Sequence, residues 1–238
     1  MSTKHVFGSV VLAGVLSSSV ALAHVSIASG PAAADKSSKI TFSVGHGCEV
    51  GTAHYDTYKV RVEIPAGVTS VRALTSDFGK PTFTKAGTAV TAIEWVKPVS
   101  EILPDDDGYY EITIRARVPN TPFSKIQFTV HQVCQTPNGD VTASWDQPEG
   151  ATTGNPAAQL VVVPARLNPT GWNKFTIPAG VTVPAAKLGT YFGDALIVWK
   201  GVAAYSANAS TVALIAATAG TTALTTDLVA GDEVWVRY

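Results

Sequence analysis

Short runs in which apolar and polar residues alternate fill the chain from residue 39 onward. A period of two places successive side chains on opposite faces of a β-strand, and long stripes with the 3.6-residue period of helices are missing. Gly and Pro interrupt the runs at a spacing typical of short antiparallel strands. The clearest runs have apolar residues at Ile40, Phe42 and Val44, at Val60, Val62 and Ile64, and at Phe128 and Val130. The pattern predicts an all-β, antiparallel β-sandwich.

A change in composition separates the predicted sandwich from the end of the chain. Residues 148–159 are polar, one more strand pattern follows at Leu160–Val163, and few charges occur after Pro164. The apolar segments beyond this point are Phe175–Ile177, Leu196–Trp199, Val212–Ala216 and Glu233–Tyr238. We predict that residues 24–165 form the sandwich and that residues 166–238 form a small β-rich C-terminal module of unknown role.

Three tryptophans, Trp172, Trp199 and Trp235, are spread over this C-terminal part, one to a predicted strand. Large aromatic side chains on strands usually pack in a core, and we favour that interpretation. The alternative is a platform on which sugars stack. The chain would then be an adhesion or carbohydrate-binding β-sandwich module.

The first 23 residues have the three parts of a secretory signal peptide. Lys4 and His5 supply a short charged start, Val6–Leu16 is apolar, and Ala21-Leu22-Ala23 matches an A-x-A cleavage site. The apolar run is shorter than the ~20 residues of a membrane span. We therefore expect a periplasmic or secreted protein with no membrane span in the mature chain, an N-terminal membrane anchor being the alternative.

Composition excludes several functions. Charged residues make up 15% of the 238-residue chain, against about 25% in an average globular protein. The formal net charge is −1 and basic runs are missing, so nucleic-acid binding has little electrostatic basis. Nucleotide-binding glycine loops and the Gly-x-Ser-x-Gly elbow of hydrolases are also missing. We expect a protein that is not an enzyme.

The two cysteines are Cys48 and Cys134. An even number of cysteines in an exported chain favours a disulfide bond. The alternative is a pair of thiolate metal ligands, but an oxidising compartment would oxidise the thiolates to a disulfide.

Cleavage after Ala23 would make His24 the first residue of the mature protein, with a free α-amine beside its own imidazole. The amine and the ring Nδ1 can chelate one Cu(II) ion, because copper leads the divalent affinity order and favours nitrogen and oxygen ligands. A second histidine would complete the two-histidine brace of oxidative copper enzymes, and without one a carboxylate is the natural third ligand. The alternative is that the signal peptide merely ends there.

Five short segments strengthen the copper hypothesis: His24-Val25-Ser26-Ile27, Val44-Gly45-His46-Gly47-Cys48-Glu49, Tyr58-Lys59-Val60-Arg61-Val62-Glu63-Ile64-Pro65, Leu103-Pro104-Asp105-Asp106 and Gln132-Val133-Cys134. In this order they resemble the YcnI-like copper-binding domain family, over roughly residues 24–164. The resemblance implies an immunoglobulin-like or cupredoxin-like β-sandwich. It also implies a monohistidine brace, in which a glutamate and a nearby tryptophan join the N-terminal amine and the histidine side chain.

Carried over by motif, the brace histidine is His24, the glutamate is Glu49 and the tryptophan is Trp145. Each has an alternative interpretation: Glu49 could be an exposed turn carboxylate, and Trp145 an ordinary core residue. The loop around Trp145 differs in length from the family pattern, and Asp146 departs from it. An indole beside the copper ion could also contribute a cation–π contact.

Three further histidines bear on the site. His46 shares a turn with Glu49 and is a candidate additional ligand, although its flanking glycines favour a structural role. We expect His131 on the strand face opposite Cys134, and His54 departs from the family pattern. If either reached His24, the site would be a two-histidine brace, and a copper-dependent oxidase would be the alternative function.

From the sequence we expect an exported copper-binding protein for copper trafficking or homeostasis, with Cu(II) as the expected cofactor. The expected partners are the copper ion and a periplasmic copper chaperone or membrane copper transporter.

Overall fold

The computed structural model describes residues 24–105 and 107–238. The signal peptide predicted for residues 1–23 and the acidic residue Asp106 lie outside the described residues. In chain order the strands are β1 (Ser26–Ile27), β2 (Ala32–Ala33), β3 (Ser37–Val44), β4 (Cys48–Val50), β5 (Ala53–Tyr55), β6 (Thr57–Glu63), β7 (Thr69–Ala73), β8 (Thr82–Ala86), β9 (Ala89–Val96), β10 (Tyr110–Arg117), β11 (Ser124–Phe128), β12 (Val130–Thr136), β13 (Gly139–Gln147), β14 (Asn155–Pro156), β15 (Ala158–Val163), β16 (Trp172–Thr176), β17 (Thr182–Val183), β18 (Ile197–Lys200), β19 (Ala203–Tyr205), β20 (Thr222–Ala223), β21 (Leu228–Val229) and β22 (Glu233–Arg237).

The N-terminal part is the predicted all-β sandwich. A four-stranded sheet in the order β1-β3-β10-β7, a six-stranded sheet in the order β14-β13-β12-β6-β9-β8 and a three-stranded sheet in the order β11-β15-β2 enclose one apolar core. The alternating runs point inward as predicted, because Ile40 and Phe42 on β3 and Val60 and Val62 on β6 are 0% exposed. A period of two places these residues on one face of each strand, and burial of that face stabilises the sandwich.

A second core lies in the C-terminal part of the chain. Its sheet has the order β16-β22-β18-β19-β20, and the buried face carries Val198, Val234 and Val236, each 0% exposed. The interpretation of the C-terminal tryptophans as core residues is wrong for Trp172 and Trp235. They are 43% and 50% exposed, because their neighbours along the strands, Asn173 on β16 and Val234 and Val236 on β22, occupy the inner face. The boundary at residues 165 and 166 stays a prediction.

The two α-helices are α1 (Leu188–Phe192) and α2 (Ala209–Ala217), and single 3₁₀ turns span Val99–Glu101 and Ala185–Lys187. The prediction of Val212–Ala216 as part of the β pattern is wrong, since these residues lie within α2. Asn208 begins this helix by accepting hydrogen bonds from the backbone N–H groups of Ser210 and Thr211, and alanine-rich sequence favours helix. In the part of the chain that the structure describes, no helix is both long and apolar enough to cross a membrane.

Cys48 and Cys134 form the predicted disulfide bond. The alternative of two thiolate metal ligands is therefore wrong. The bond joins β4 to β12, so the short β4–β5 hairpin is fixed to the six-stranded sheet.

One residue of the sandwich belongs to the second core. Phe123, directly before β11, is 5% exposed, and its ring lies 5.7 Å from that of Tyr191 and 5.6 Å from that of Phe192. Its φ of 66° is in the left-handed region, which is costly for a bulky side chain. The hydrogen bond from its N–H to the Val162 carbonyl and the two aromatic contacts hold it there.

Candidate metal site at His24

His24 is exposed, whereas the next residue, Val25, is 2% exposed and belongs to the sandwich core. Strand β1 follows at once and pairs with β3 through Ser26 and Ser43. These contacts fix the backbone on the C-terminal side of the histidine and leave its imidazole at the surface. The His24 ring lies 5.6 Å from the Trp145 ring, with the two planes at 87°.

Trp145 is 4% exposed and lies on β13, opposite Val130 of β12. Its indole Nε1 donates a hydrogen bond of 3.1 Å to Gln132 Oε1. Because the N–H group is already used, the indole can offer only its π system to His24 and to anything that His24 binds. Both interpretations of Trp145 therefore have support: the side chain is buried in the core, and it also contacts the predicted brace histidine.

Gln132 is a site residue to which the sequence analysis assigned no role. It is 1% exposed. Its Nε2 donates to the His46 carbonyl at 2.6 Å and to Thr57 Oγ1 at 2.7 Å, while its Oε1 accepts from Trp145. The side chain thus connects the tryptophan under His24 to the turn before Glu49. The available signal was a glutamine on a strand face that otherwise carries Phe128, Val130 and Cys134.

Glu49 lies on β4 and is exposed, directly after the disulfide-bonded Cys48. Among the described residues, no hydrogen bond or ion pair joins its carboxylate to His24, and no group of three or more His, Cys, Asp or Glu is placed to hold a metal ion. The monohistidine brace implied by the resemblance needs only one imidazole and one carboxylate besides the amine. The structure thus brings His24 and Trp145 together and leaves Glu49 on the neighbouring hairpin.

His46 lies at the start of that turn and is half-buried. Its Nδ1 is hydrogen-bonded to the Gly47 carbonyl oxygen. A carbonyl oxygen can only accept, so Nδ1 carries a proton in this arrangement and Nε2 is the nitrogen left for a ligand. This contact favours the structural role that the flanking glycines indicated.

His131 and His54 occupy different positions relative to the site. His131 Nδ1 is 3.0 Å from Ser144 Oγ and its Nε2 is 4.0 Å from the Glu63 carboxylate. These contacts lie on the face of β12 opposite Gln132, as predicted, and point the ring away from the Trp145 side. His54 is directly opposite Glu49 in the β4–β5 hairpin, so their side chains share a face.

The fold and these contacts define a class: a disulfide-bonded, antiparallel β-sandwich protein with a histidine–tryptophan pair at its N-terminal edge. A family model described as a domain of unknown function, DUF1775, matches residues 24–162. The chain belongs to this family, which is the YcnI family domain, and the resemblance found in the sequence is confirmed.

The solved structures that are similar to the chain include the following two. An uncharacterized protein from Nocardia farcinica with an immunoglobulin-like fold is 19% identical, with a TM-score of 0.47 over 58% of this chain and 97% of that one. Domains D2 and D3 of the major pilin SpaD from Corynebacterium diphtheriae are 10% identical, with a TM-score of 0.36 over 66% of this chain and 55% of that one. No curated protein matches the chain significantly.

Proposed function

We propose that the mature protein is an exported copper-binding protein for copper trafficking or homeostasis. The Cu(II) ion is the cargo. The amine and Nδ1 of His24 chelate it, Glu49 supplies an oxygen ligand, and Trp145 lies beside it. The partner that delivers or receives the ion is a periplasmic copper chaperone or a membrane copper transporter.

The observation that carries this proposal is the contact between the exposed His24 and the buried Trp145. An exposed terminal residue is usually free to move. Here the following strand anchors the backbone and an indole lies against the imidazole. Gln132 holds that indole in turn by accepting its N–H. A preorganised imidazole loses less conformational freedom when it binds a metal ion.

The chemistry assigned to each group follows from its donor atoms. The amine and the imidazole nitrogen are the ligands that Cu(II) prefers, and both must be free of protons on the binding atom before they coordinate. Affinity should therefore fall as the pH falls. The Glu49 carboxylate neutralises part of the ion's charge and reaches it from the β4–β5 hairpin, which the disulfide fixes to β12.

The test is a Cu(II) titration of the protein that begins at His24, beside a version with one additional methionine before it. We expect tight one-to-one binding only with the free amine, with nitrogen hyperfine structure in the electron paramagnetic resonance spectrum. Glu49→Gln should weaken binding, and Trp145→Phe should remove the copper-dependent fluorescence quenching. His131→Gln is the matched control and should leave affinity unchanged.

Equal affinity in the two versions would contradict the proposal, because the methionine converts the amine of His24 into an amide. A loss of affinity in His131→Gln as large as in Glu49→Gln would also contradict it, since it would place the ion on the opposite face of β12.

A further inference from the structure

A group of three tryptophans lies on the outer face of the C-terminal sheet. Trp172, Trp235 and Trp199 come from the adjacent strands β16, β22 and β18. Trp199 is directly opposite Trp235, and Trp172 is opposite Arg237, two residues further along β22. Direct neighbours in a sheet have Cβ atoms about 5 Å apart and diagonal neighbours about 7–8 Å. The three indoles therefore form one continuous group, which we call the tryptophan face.

The tryptophan face is open to solvent. Trp172 is 43% and Trp235 50% exposed, and Trp199 is half-buried. Together the three rings line an apolar depression of about 430 Å³. Exposed apolar side chains scattered singly are normal on protein surfaces, but a continuous patch marks a binding surface. These rings are not part of the core of the sheet, because Val198, Val234 and Val236 form the buried, opposite face.

Polar groups border the rings on the same face. Lys174 and Glu233 form an ion pair of 2.6 Å beside Trp235, and Lys174 Nζ is 6.0 Å from the Trp235 ring centroid. Arg237 lies two residues after Trp235 on the same face of β22 and is exposed. The face thus presents hydrogen-bond donors and a carboxylate acceptor around its aromatic rings.

Charge decides which ligand suits this surface. Residues 166–238 contain five basic and four acidic residues, so the dense positive charge of nucleic-acid sites is missing. An anionic lipid surface likewise attracts clusters of lysine and arginine, whereas Glu233 lies within this face. A neutral polymer with apolar C–H faces and many hydroxyl groups matches both the indoles and the mixed polar border.

We propose that the tryptophan face binds a neutral polysaccharide. Trp172, Trp235 and Trp199 stack against successive sugar rings. Lys174, Glu233 and Arg237 hydrogen-bond to the sugar hydroxyl groups at the border. This binding is independent of the copper site at His24.

The test uses the full mature chain with a chelator present, so that the metal site cannot contribute. Cellohexaose, xylohexaose and chitohexaose are titrated by calorimetry and tryptophan fluorescence, and insoluble cellulose and chitin are used in pull-down assays. We expect one sugar series to bind and to change the fluorescence. Trp172→Ala and Trp235→Ala should each weaken binding about tenfold, which is comparable with the loss of one aromatic ring that stacks on a nucleobase.

Phe83→Ala is the matched control, because Phe83 is an aromatic residue of the sandwich that is 44% exposed. It should leave sugar binding unchanged. All three substitutions should change the temperature of thermal unfolding by similar small amounts. Three outcomes would overturn the proposal: no binding to any of these sugars, binding that survives both tryptophan substitutions, or tryptophan-dependent binding only to a proline-rich peptide or to phosphatidylcholine vesicles.

Discussion

Tryptophan side chains have opposite environments in the two parts of the molecule. In the sandwich, Trp95 is 0% and Trp145 4% exposed, and each indole N–H donates to a protein acceptor, the Leu74 carbonyl and Gln132 Oε1 respectively. In the C-terminal sheet, Trp172 and Trp235 lie on the solvent side. A buried indole needs a hydrogen-bond partner, whereas an exposed one can leave its N–H to water and present its ring to a ligand. Burial of the ring therefore distinguishes Trp95 and Trp145 from Trp172 and Trp235, and Trp145 contacts His24 only from within the core.

The two parts of the molecule also differ in whether they bury charged side chains. The sandwich contains Asp56 and Lys97, which are 1% and 3% exposed and form an ion pair of 2.5 Å. Tyr110 donates to Asp56 and accepts from Lys97, and Asp56 also accepts the Leu103 N–H. Burial, together with the Asp56 hydrogen bond, raises the pKa of Tyr110 well above its ordinary value, so the phenol remains a donor. In the C-terminal part, the buried polar residues are Asn173 and Ser206, and both are uncharged.

Among substitutions that test this difference, we expect the largest loss of stability for Lys97→Met. The substitution leaves the Asp56 carboxylate buried without its cation, and we expect the sandwich to lose about 3–5 kcal/mol of unfolding free energy. Urea unfolding followed by circular dichroism measures this loss. Combining Lys97→Met with Asp56→Asn removes the charge and keeps an acceptor for Tyr110 and Leu103, so it should restore much of the stability.

Lys125→Met provides the surface comparison for Lys97. Lys125 pairs with Glu149, whose side chain is 60% exposed, and exposed pairs contribute about 0–1 kcal/mol. If Lys97→Met cost no more than Lys125→Met, the buried network would not stabilise the sandwich.

An intermediate effect is expected for Gln132→Met, which removes the acceptor of the Trp145 N–H and two donated hydrogen bonds. A buried donor without a partner costs about 1–3 kcal/mol. Urea unfolding gives the loss, and the Trp145 fluorescence should shift because the ring is no longer held. Gln135→Met on the same strand is the control, since Gln135 is exposed. Equal stability of the two variants would show that Gln132 does not hold Trp145.

The smallest effect concerns Asp232 in the C-terminal sheet, where an ion pair is partly exposed. The hydrogen bond from Lys200, helped by that from the Val229 N–H, lowers the pKa of Asp232 below its ordinary value of 3.8. The ionised carboxylate therefore stabilises the fold above pH 3.8, and this contribution disappears as the pH falls through the lowered pKa. Asp232→Asn should cost roughly 1 kcal/mol at neutral pH.

Thermal unfolding over a series of pH values checks this prediction, and the gap between Asp232→Asn and the natural chain should close in acid. In a Lys200→Met background the gap at neutral pH should be smaller, because the main cause of the lowered pKa is gone. A gap that stays constant from neutral to acid pH would contradict the assignment.

The sandwich was predicted well from the sequence because the alternation that indicates its strands is a local pattern. Ile40, Phe42 and Val44 alternate along β3, and the alternation alone assigns them to one face. The prediction failed at Val212–Ala216, where a short apolar run has no distinguishing period and the helix signal was the capping residue Asn208. It also failed at Trp172 and Trp235, because both faces of β16 and β22 carry apolar residues and periodicity does not say which face is inner.

The candidate site was predicted in part. His24, Glu49 and Trp145 came from motif order, and the structure places His24 against Trp145. The role of Gln132 depends on contacts with His46 and Trp145, which are 86 and 13 residues away along the chain. No local pattern records such partners. The position of Glu49 likewise depends on how the short β4–β5 hairpin lies against the sheet.

Phe123 has a consequence for the ancestry of the chain. A bulky residue with a φ of 66° is strained, and the contacts of its ring with Tyr191 and Phe192 help to offset that strain. Transfer of the sandwich without residues 166–238 would expose the Phe123 ring, because its contacts belong to the second core. We therefore expect an aromatic residue at 123 and the pair that receives it to be inherited or lost together.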